Sequence, residues 1–153
     1  VLRRDPMAMI PFCGYNMGGY FQHWLEMRHN IANPPKIFLV NWFRKDDKGS
    51  FVWPGYGENM RVLKWILQRA LGRIGGQETV VGWVPREGDL DLSGCDITSD
   101  QFEQATRIDP KEWLDEVESQ QEFFDLIGAS MPEALKKQRE LLRETLKTVP
   151  GIG

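Results

Sequence analysis

Hydrophobic positions along the chain follow helical spacing in some stretches and strand-like spacing in others. Apolar residues near a 3.6-residue period predict a helix over residues 17–29, and Pro34 and Pro35 prevent it from continuing. The apolar run within Lys36–Phe43 predicts a buried strand, and Thr79–Val84 predicts a second strand. Because a two-stranded sheet is marginally stable by itself, we expect further strands outside this sequence.

Helical patterns dominate the rest of the chain. Asn59, a residue type that favours helix N-caps, is predicted to cap an amphipathic helix. The face of this helix that we predict to be buried consists of Leu63, Ile66, Leu67, Ala70 and Leu71. Further helices are predicted at residues 99–107, 110–127 and 132–148, the last with a stripe of Leu135, Leu142 and Leu146. The predicted fold class is α/β, as an α+β fragment with few strands and about five helices.

Composition and charge divide the chain into two parts. The 153 residues carry a net charge of -3, which does not indicate a nucleic-acid partner. No apolar run approaches the ~20 residues that a membrane span requires. Residues 1–100 hold 12 basic and 11 acidic side chains, whereas residues 101–153 hold 7 and 11. We therefore predict part of a ligand-binding domain over 1–100, with a solvated helical segment over 101–153 that packs on the same domain.

The most informative stretch joins the first predicted strand to the amphipathic helix. It places Phe43 at a strand end, Phe51 and Trp53 in a loop, and Tyr56 before a helix start. Flat rings from these separate elements can converge on a purine base. Gly57 allows close approach of the backbone, and Asn59 offers both a donor and an acceptor to a base edge. Spacing alone favours the simpler alternative, in which the rings are core residues and Asn59 is only a cap.

Three segments together carry a family resemblance. They are Arg3-Arg4-Asp5-Pro6-Met7-Ala8-Met9-Ile10-Pro11-Phe12-Cys13-Gly14-Tyr15-Asn16, then Val40–Lys45 with Phe51-Val52-Trp53-Pro54-Gly55-Tyr56-Gly57-Glu58-Asn59 and Arg61–Trp65, and finally Pro85–Leu92. These segments resemble the GTP-dependent phosphoenolpyruvate carboxykinase family, the second of them its guanine-binding region. The resemblance covers most of residues 3–92, whereas residues 101–153 resemble the closing helices of the family only loosely.

The resemblance implies roles for individual residues. Phe43 and Tyr56 would sandwich guanine, and Phe51 would border the base. Asn59 would read the guanine edge, including its exocyclic amine. Tyr56 stands where many members have Phe, which retains a stacking ring and adds a hydroxyl. The predicted nucleotide-binding residues are Phe43, Phe51, Tyr56, Gly57, Glu58 and Asn59, and no catalytic or metal-ligating residue is predicted in the chain.

The resemblance also implies the reaction of a whole enzyme. Oxaloacetate and GTP would give phosphoenolpyruvate, GDP and carbon dioxide, as in gluconeogenesis, with manganese, and magnesium on the nucleotide, assisting. The enzyme would be a cytoplasmic monomer without nucleic-acid or membrane partners. The sequence contains no G-x-x-x-x-G-K-[ST] phosphate loop and begins at Val1. We therefore expect a fragment that is inactive alone and binds at most the base.

Other patterns favour less specific explanations. The competing function is a non-enzymatic, aromatic-rich binding module for a sugar or a peptide, although Tyr56-Gly57-Glu58-Asn59 at a helix start suits a base edge better than a sugar face.

Asp89–Asp100 imitates a calcium loop, but Asp96 takes a position that is usually apolar and a strand precedes it. His23 and His29 do not share one helix face, so a structural role is expected for both.

Overall fold

The computed structural model describes residues 5–149, so Arg3 and Arg4 of the first motif lie outside the described residues. The predicted α/β class with few strands is confirmed. Within the described range no helix has the length and hydropathy needed to cross a bilayer. The elements are α1 (Met17–Asn30), α2 (Asn59–Ala70), β1 (Gln77–Thr79), β2 (Gly82–Val84), α3 (Ser99–Thr106), α4 (Pro110–Ser119), α5 (Gln121–Ile127) and α6 (Glu133–Thr148).

The described chain divides into two compact units. The helical unit combines the segment up to Pro35 with the segment from Asp109 onward. The aromatic unit is Lys36–Ile108, and it contains all six residues that the sequence predicts to bind a nucleotide.

Small apolar clusters hold the helical unit together. Asn16 caps α1, since its Oδ1 accepts a hydrogen bond from Gly18 N at 2.7 Å. Met17 is buried against Ile127 and Met131. Helix α6 packs on α4, where Val117 and Leu146 are almost fully buried. The predicted helix over residues 17–29 is therefore confirmed, and so is the predicted leucine stripe as far as Leu146.

The predicted helix over residues 110–127 is wrong in one respect, because it is two helices that meet at Gln120. In a continuous helix the Val117 carbonyl would accept from the Gln121 amide. Instead, Arg139 donates to Val117 O from Nη2 at 2.8 Å and from Nε at 3.1 Å. Arg139 Nη1 also donates to Gln121 Oε1. A side chain from α6 thus occupies the carbonyl at which the helix is interrupted.

Trp65 is the centre of the aromatic unit. It is buried with Leu90 and Phe102, and the Phe38 ring meets it edge-on with centroids 6.1 Å apart. The buried face of α2 is consequently the one that carries Trp65, with Val62 and Ile66 beside it. The predicted face was wrong in most of its members: the exposed ones are Leu63, Leu67, Ala70 and Leu71. Large apolar residues occur on both faces, and the burial of Trp65 decides between them.

Neither strand forms as the sequence predicts. Lys36–Phe43 is not a strand, and Ile37 and Leu39 are exposed, because no neighbouring strand within the described residues offers a hydrogen-bonding partner. The segment predicted as a single strand, Thr79–Val84, reverses direction instead: β1 pairs antiparallel with β2, and Glu78 faces Trp83. Gly82 supports this reversal with a φ of 122°, which favours glycine.

Candidate functional site

A tight hairpin organises the first half of the candidate site. Lys45 and Phe51 form an antiparallel bridge, and Val52 N donates to Arg44 O at 2.9 Å. Asp46 closes the turn between them, since its Oδ1 accepts from Lys48 N at 2.9 Å and from Ser50 N at 2.8 Å. The hairpin therefore brings the two ends of a loop together without a sheet.

This hairpin places two of the predicted rings in contact. Phe43 and Phe51 lie edge to face, with centroids 6.1 Å apart and an angle of 63° between the planes. Lys45 Nζ lies over the Phe51 ring, 5.3 Å from its centroid, in a cation–π contact. Phe43 is 73% exposed, so its ring remains available to a flat ligand. Phe43 is in a turn rather than at the predicted strand end, and Asn41 Oδ1 fixes that turn by accepting from Phe43 N at 3.0 Å.

Tyr56 lies at the start of a short 3-10 turn that leads directly into α2. Gly55 precedes it with a φ of 135°, a conformation that residues with a side chain rarely adopt. Tyr56 is 92% exposed and contacts no other aromatic ring in the part of the chain that is described. An ideal Cβ on Gly57 would have no neighbour within 4 Å, so the backbone there is open to an approaching ligand.

Glu58 is held by an ion pair. Its Oε2 accepts from Arg61 Nε, and Arg61 also donates to the backbone carbonyls of Asp91 at 2.5 Å and Ser93 at 3.0 Å. The hydrogen bond from Arg61 holds the pKa of the Glu58 carboxyl below its usual value. Burial, with Glu58 nearby, raises the pKa of the Cys95 thiol. The Glu58 carboxylate therefore anchors the turn to a neighbouring loop.

Asn59 does not cap α2 as predicted. The 3-10 turn runs into the helix, so Asn59 already has helical backbone angles and no side-chain cap bond forms there. Its Oδ1 instead accepts a hydrogen bond from Trp53 Nε1 at 2.8 Å. Sequence reasoning placed Trp53 among the rings of the loop but missed its bond to Asn59. An indole six residues before an asparagine becomes its partner only when the Pro54-Gly55 turn folds the chain back.

Metal-binding groups are not assembled among residues 5–149, where no three His, Cys, Asp or Glu side chains form a possible site. Two carboxylates of the calcium-like loop, Asp89 and Asp91, instead accept hydrogen bonds from backbone amides. Asp89 Oδ2 accepts from Arg86 N at 2.8 Å, and Asp91 accepts from Ser93 N and pairs with Lys64.

A groove in the helical unit offers a different kind of surface. It has a volume of about 570 Å³ and contains a single aromatic ring, Phe124. The Arg139 guanidinium lies 5.3 Å from the centroid of that ring. The groove contains none of the predicted site residues, and it lacks the second ring that a base sandwich requires.

Comparison with known proteins places these observations in a family. The family model described as the phosphoenolpyruvate carboxykinase C-terminal P-loop domain matches residues 1–145. The chain is 58% identical to phosphoenolpyruvate carboxykinase [GTP] of Anaeromyxobacter sp. (strain K), over 99% of this chain and 26% of that protein. It is 49% identical to the protein of the same name from Neocallimastix frontalis, over 95% of this chain and 24% of that protein.

The extent of these matches matters as much as their identity. The chain spans about a quarter of the length of the curated relatives that it matches. The matched domain is described by its P-loop, whereas this sequence contains no phosphate-loop motif.

Proposed function

Because the chain belongs to the GTP-dependent phosphoenolpyruvate carboxykinase family, we propose that it supplies guanine recognition to an enzyme of that activity. The proposed reaction of the whole enzyme converts oxaloacetate and GTP to phosphoenolpyruvate, GDP and carbon dioxide. The observation that supports the proposed site most directly is the exposed Phe43 ring, which lies against Phe51 in the aromatic unit.

The base would be held by stacking on its two faces and by hydrogen bonds to its edge. Phe43 and Tyr56 present exposed rings for the two faces of guanine, and Phe51, already in contact with Phe43, borders the base. Gly57 leaves room for the ligand beside the backbone. Glu58 contributes through its ion pair with Arg61, which fixes the turn that carries Tyr56. These contacts exclude water from the base and orient it.

Selection between purines would fall to Asn59. Stacking tolerates any base, because every base has an aromatic face. Hydrogen-bond matching is selective, because a mismatched base leaves a polar group without a partner. Asn59 is partly buried beside the turn and carries an amide that can contact a base edge.

The chemical steps would depend on groups outside this chain. Loss of carbon dioxide from oxaloacetate leaves an enolate, whose oxygen attacks the γ-phosphate of GTP. A divalent cation, manganese or magnesium, would neutralise charge on the phosphates. The described residues do not form a site for that cation. We therefore propose that the chain alone binds at most the base. We also propose that the whole enzyme is a cytoplasmic monomer, in which residues 1–100 bind the nucleotide and the helical residues 101–153 belong to the same domain.

Tryptophan fluorescence of the full-length protein tests this function. Trp42 and Trp53 lie next to each other, with centroids 6.1 Å apart, and Trp53 bonds to Asn59. GDP should therefore quench the emission. Phe43→Ala and Tyr56→Ala should each weaken GDP about 5- to 150-fold, since stacking on one base is worth ~1–3 kcal/mol.

The exposed Tyr15 in the helical unit provides the matched control. Tyr15→Ala should leave GDP affinity unchanged. If an oligosaccharide or a peptide quenches the emission and GDP does not, the chain is an aromatic-rich binding module and the nucleotide function is wrong.

A further inference from the structure

The hydrogen bond between Trp53 and Asn59 determines which end of the Asn59 amide faces outward. An indole Nε1 is only a donor, so it can bond to the amide oxygen and not to the amide nitrogen. In the structure Nε1 lies 2.8 Å from Oδ1. Turning the amide over would bring two donors face to face beside a buried indole and leave one of them without an acceptor.

Trp53 itself has little freedom to move. It is 7% exposed and follows Val52, which is buried and bonded through its backbone to Arg44. Trp42 lies against it at a tilt of 48°. Because the ring is fixed, the direction in which Nε1 points is fixed as well.

The other end of the amide is not one of the fully buried polar atoms of the described residues. Asn59 Nδ2 has no hydrogen-bond partner among residues 5–149. It carries two N–H donors, and it lies on the turn that presents Tyr56 and Gly57. Asn59 therefore offers a donor to an incoming ligand, while its acceptor is directed to Trp53.

We propose that Trp53 is a positioning residue for base selection, which holds Asn59 so that Nδ2 donates to the 6-oxo oxygen of a purine. This inference rests on the proposed guanine site. Guanine and hypoxanthine carry an acceptor at position 6, whereas adenine carries an amino group that would meet the Asn59 donors. The exocyclic amine at position 2, which the sequence-based hypothesis assigned to Asn59, is not required for this contact.

Four nucleoside diphosphates distinguish a contact at position 6 of the purine from a contact at position 2. GDP and IDP share the 6-oxo group, and ADP and 2,6-diaminopurine riboside diphosphate share the 6-amino group. Within each pair, one member has a 2-amino group and the other does not. Calorimetry on the full-length protein measures the four dissociation constants for the wild type, Trp53→Phe and Asn59→Ala. Trp42→Phe is the matched control, because it alters the neighbouring indole and leaves the bond to Asn59 in place.

Trp53→Phe retains a ring and removes the N–H. It should weaken GDP and IDP by the same factor, about three- to tenfold for one hydrogen bond, and leave both 6-amino nucleotides unchanged. In turnover, KM for GTP and ITP should rise while kcat stays constant. Adding Trp53→Phe to Asn59→Ala should cause no further loss, because the two residues act through one contact.

Asn59→Asp extends the test and carries it if Trp53→Phe does not fold. The carboxylate still accepts from Trp53, but it presents oxygen instead of N–H to the base. GDP and IDP should lose more affinity than ADP.

Two outcomes overturn the inference and leave the base site standing. In one, the losses follow the 2-amino group, so GDP and the diaminopurine nucleotide weaken together. In the other, Trp53→Phe weakens all four nucleotides equally, which indicates only a structural role. The guanine site itself fails by a separate result, namely unchanged GDP affinity in Phe43→Ala.

Discussion

Individual side chains in the loop before α2 are held by different kinds of contact. Phe51 lies between an aromatic edge and a lysine, Glu58 is tied to Arg61, and Asn59 is oriented by Trp53. These contacts leave the Phe43 ring and the Tyr56 ring exposed. At the scale of single residues, these contacts hold the side chains around the candidate site, while the Phe43 and Tyr56 rings remain accessible to a ligand.

Glu58 should make the stability of the protein dependent on pH. The hydrogen bond from Arg61 lowers the pKa of Glu58 in the folded state. The ion pair therefore stabilises the fold at pH values above 4.5, the ordinary pKa of a glutamate. That stabilisation is lost as the pH falls through the lowered pKa. Glu58→Gln should therefore flatten the dependence of Tm on pH between about pH 5 and pH 3.

Thermal unfolding of the full-length protein across that range provides the measurement. Glu78→Gln is the matched control, because Glu78 is an exposed residue of β1 without an ion pair in the described range. Identical pH profiles for the two variants would contradict a stabilising role for the Glu58–Arg61 pair.

Secondary-structure elements depend on their neighbours to different degrees. Helix α1 was predictable because the spacing of its apolar residues is a local signal. The strand predicted over Lys36–Phe43 did not form. A strand requires a hydrogen-bonding partner, and the pattern of one segment does not show whether that partner exists. At the interruption near Gln120, Arg139 from α6 donates to Val117 O, and this contact between distant residues is not part of any local pattern.

Two adjacent glycines in α1 test how closely this helix is packed. A Cβ on Gly18 would lie 2.1 Å from Ser130 O, a backbone atom that cannot move by itself. Gly18→Ala should therefore destabilise the protein by about 1–3 kcal/mol. A Cβ on Gly19 would make an ordinary 3.7 Å contact with Tyr15. Gly19→Ala should stabilise the helix by about 0.5–1 kcal/mol through higher helix propensity.

Urea unfolding of both variants in the full-length protein measures the difference. Changes of stability in the same direction would show that the close approach of Gly18 to the Gly128–Ser130 turn does not limit packing.

The molecule as a whole combines a helical unit with an aromatic unit that carries the candidate site. It spans about a quarter of the length of its relatives. Its described residues include the candidate base-binding side chains and contain no cluster of possible metal ligands. The proposed function accordingly assigns binding of the base to this chain and binding of the phosphates to other parts of the whole enzyme.

Metal removal from the full-length enzyme should reveal this separation. The phosphates of GDP and ADP are identical, so EDTA should weaken both nucleotides by the same factor. The ratio of the ADP dissociation constant to the GDP dissociation constant should stay constant in EDTA, whereas Asn59→Ala should lower it toward one. Calorimetry with and without EDTA measures the ratio. A ratio that approaches one in EDTA would show that base selection depends on the metal.

The sequence by itself determined the family, the approximate positions of most helices and the set of candidate base-binding residues, because short motifs and helical periodicity are local properties. The tertiary structure decided which face of α2 is buried, why Lys36–Phe43 is not a strand and which way the Asn59 amide points. Each of these depends on contacts between separate segments. Trp65 packs against Leu90 and Phe102, Asn59 bonds to the indole of Trp53, and Lys36–Phe43 finds no strand to pair with among residues 5–149.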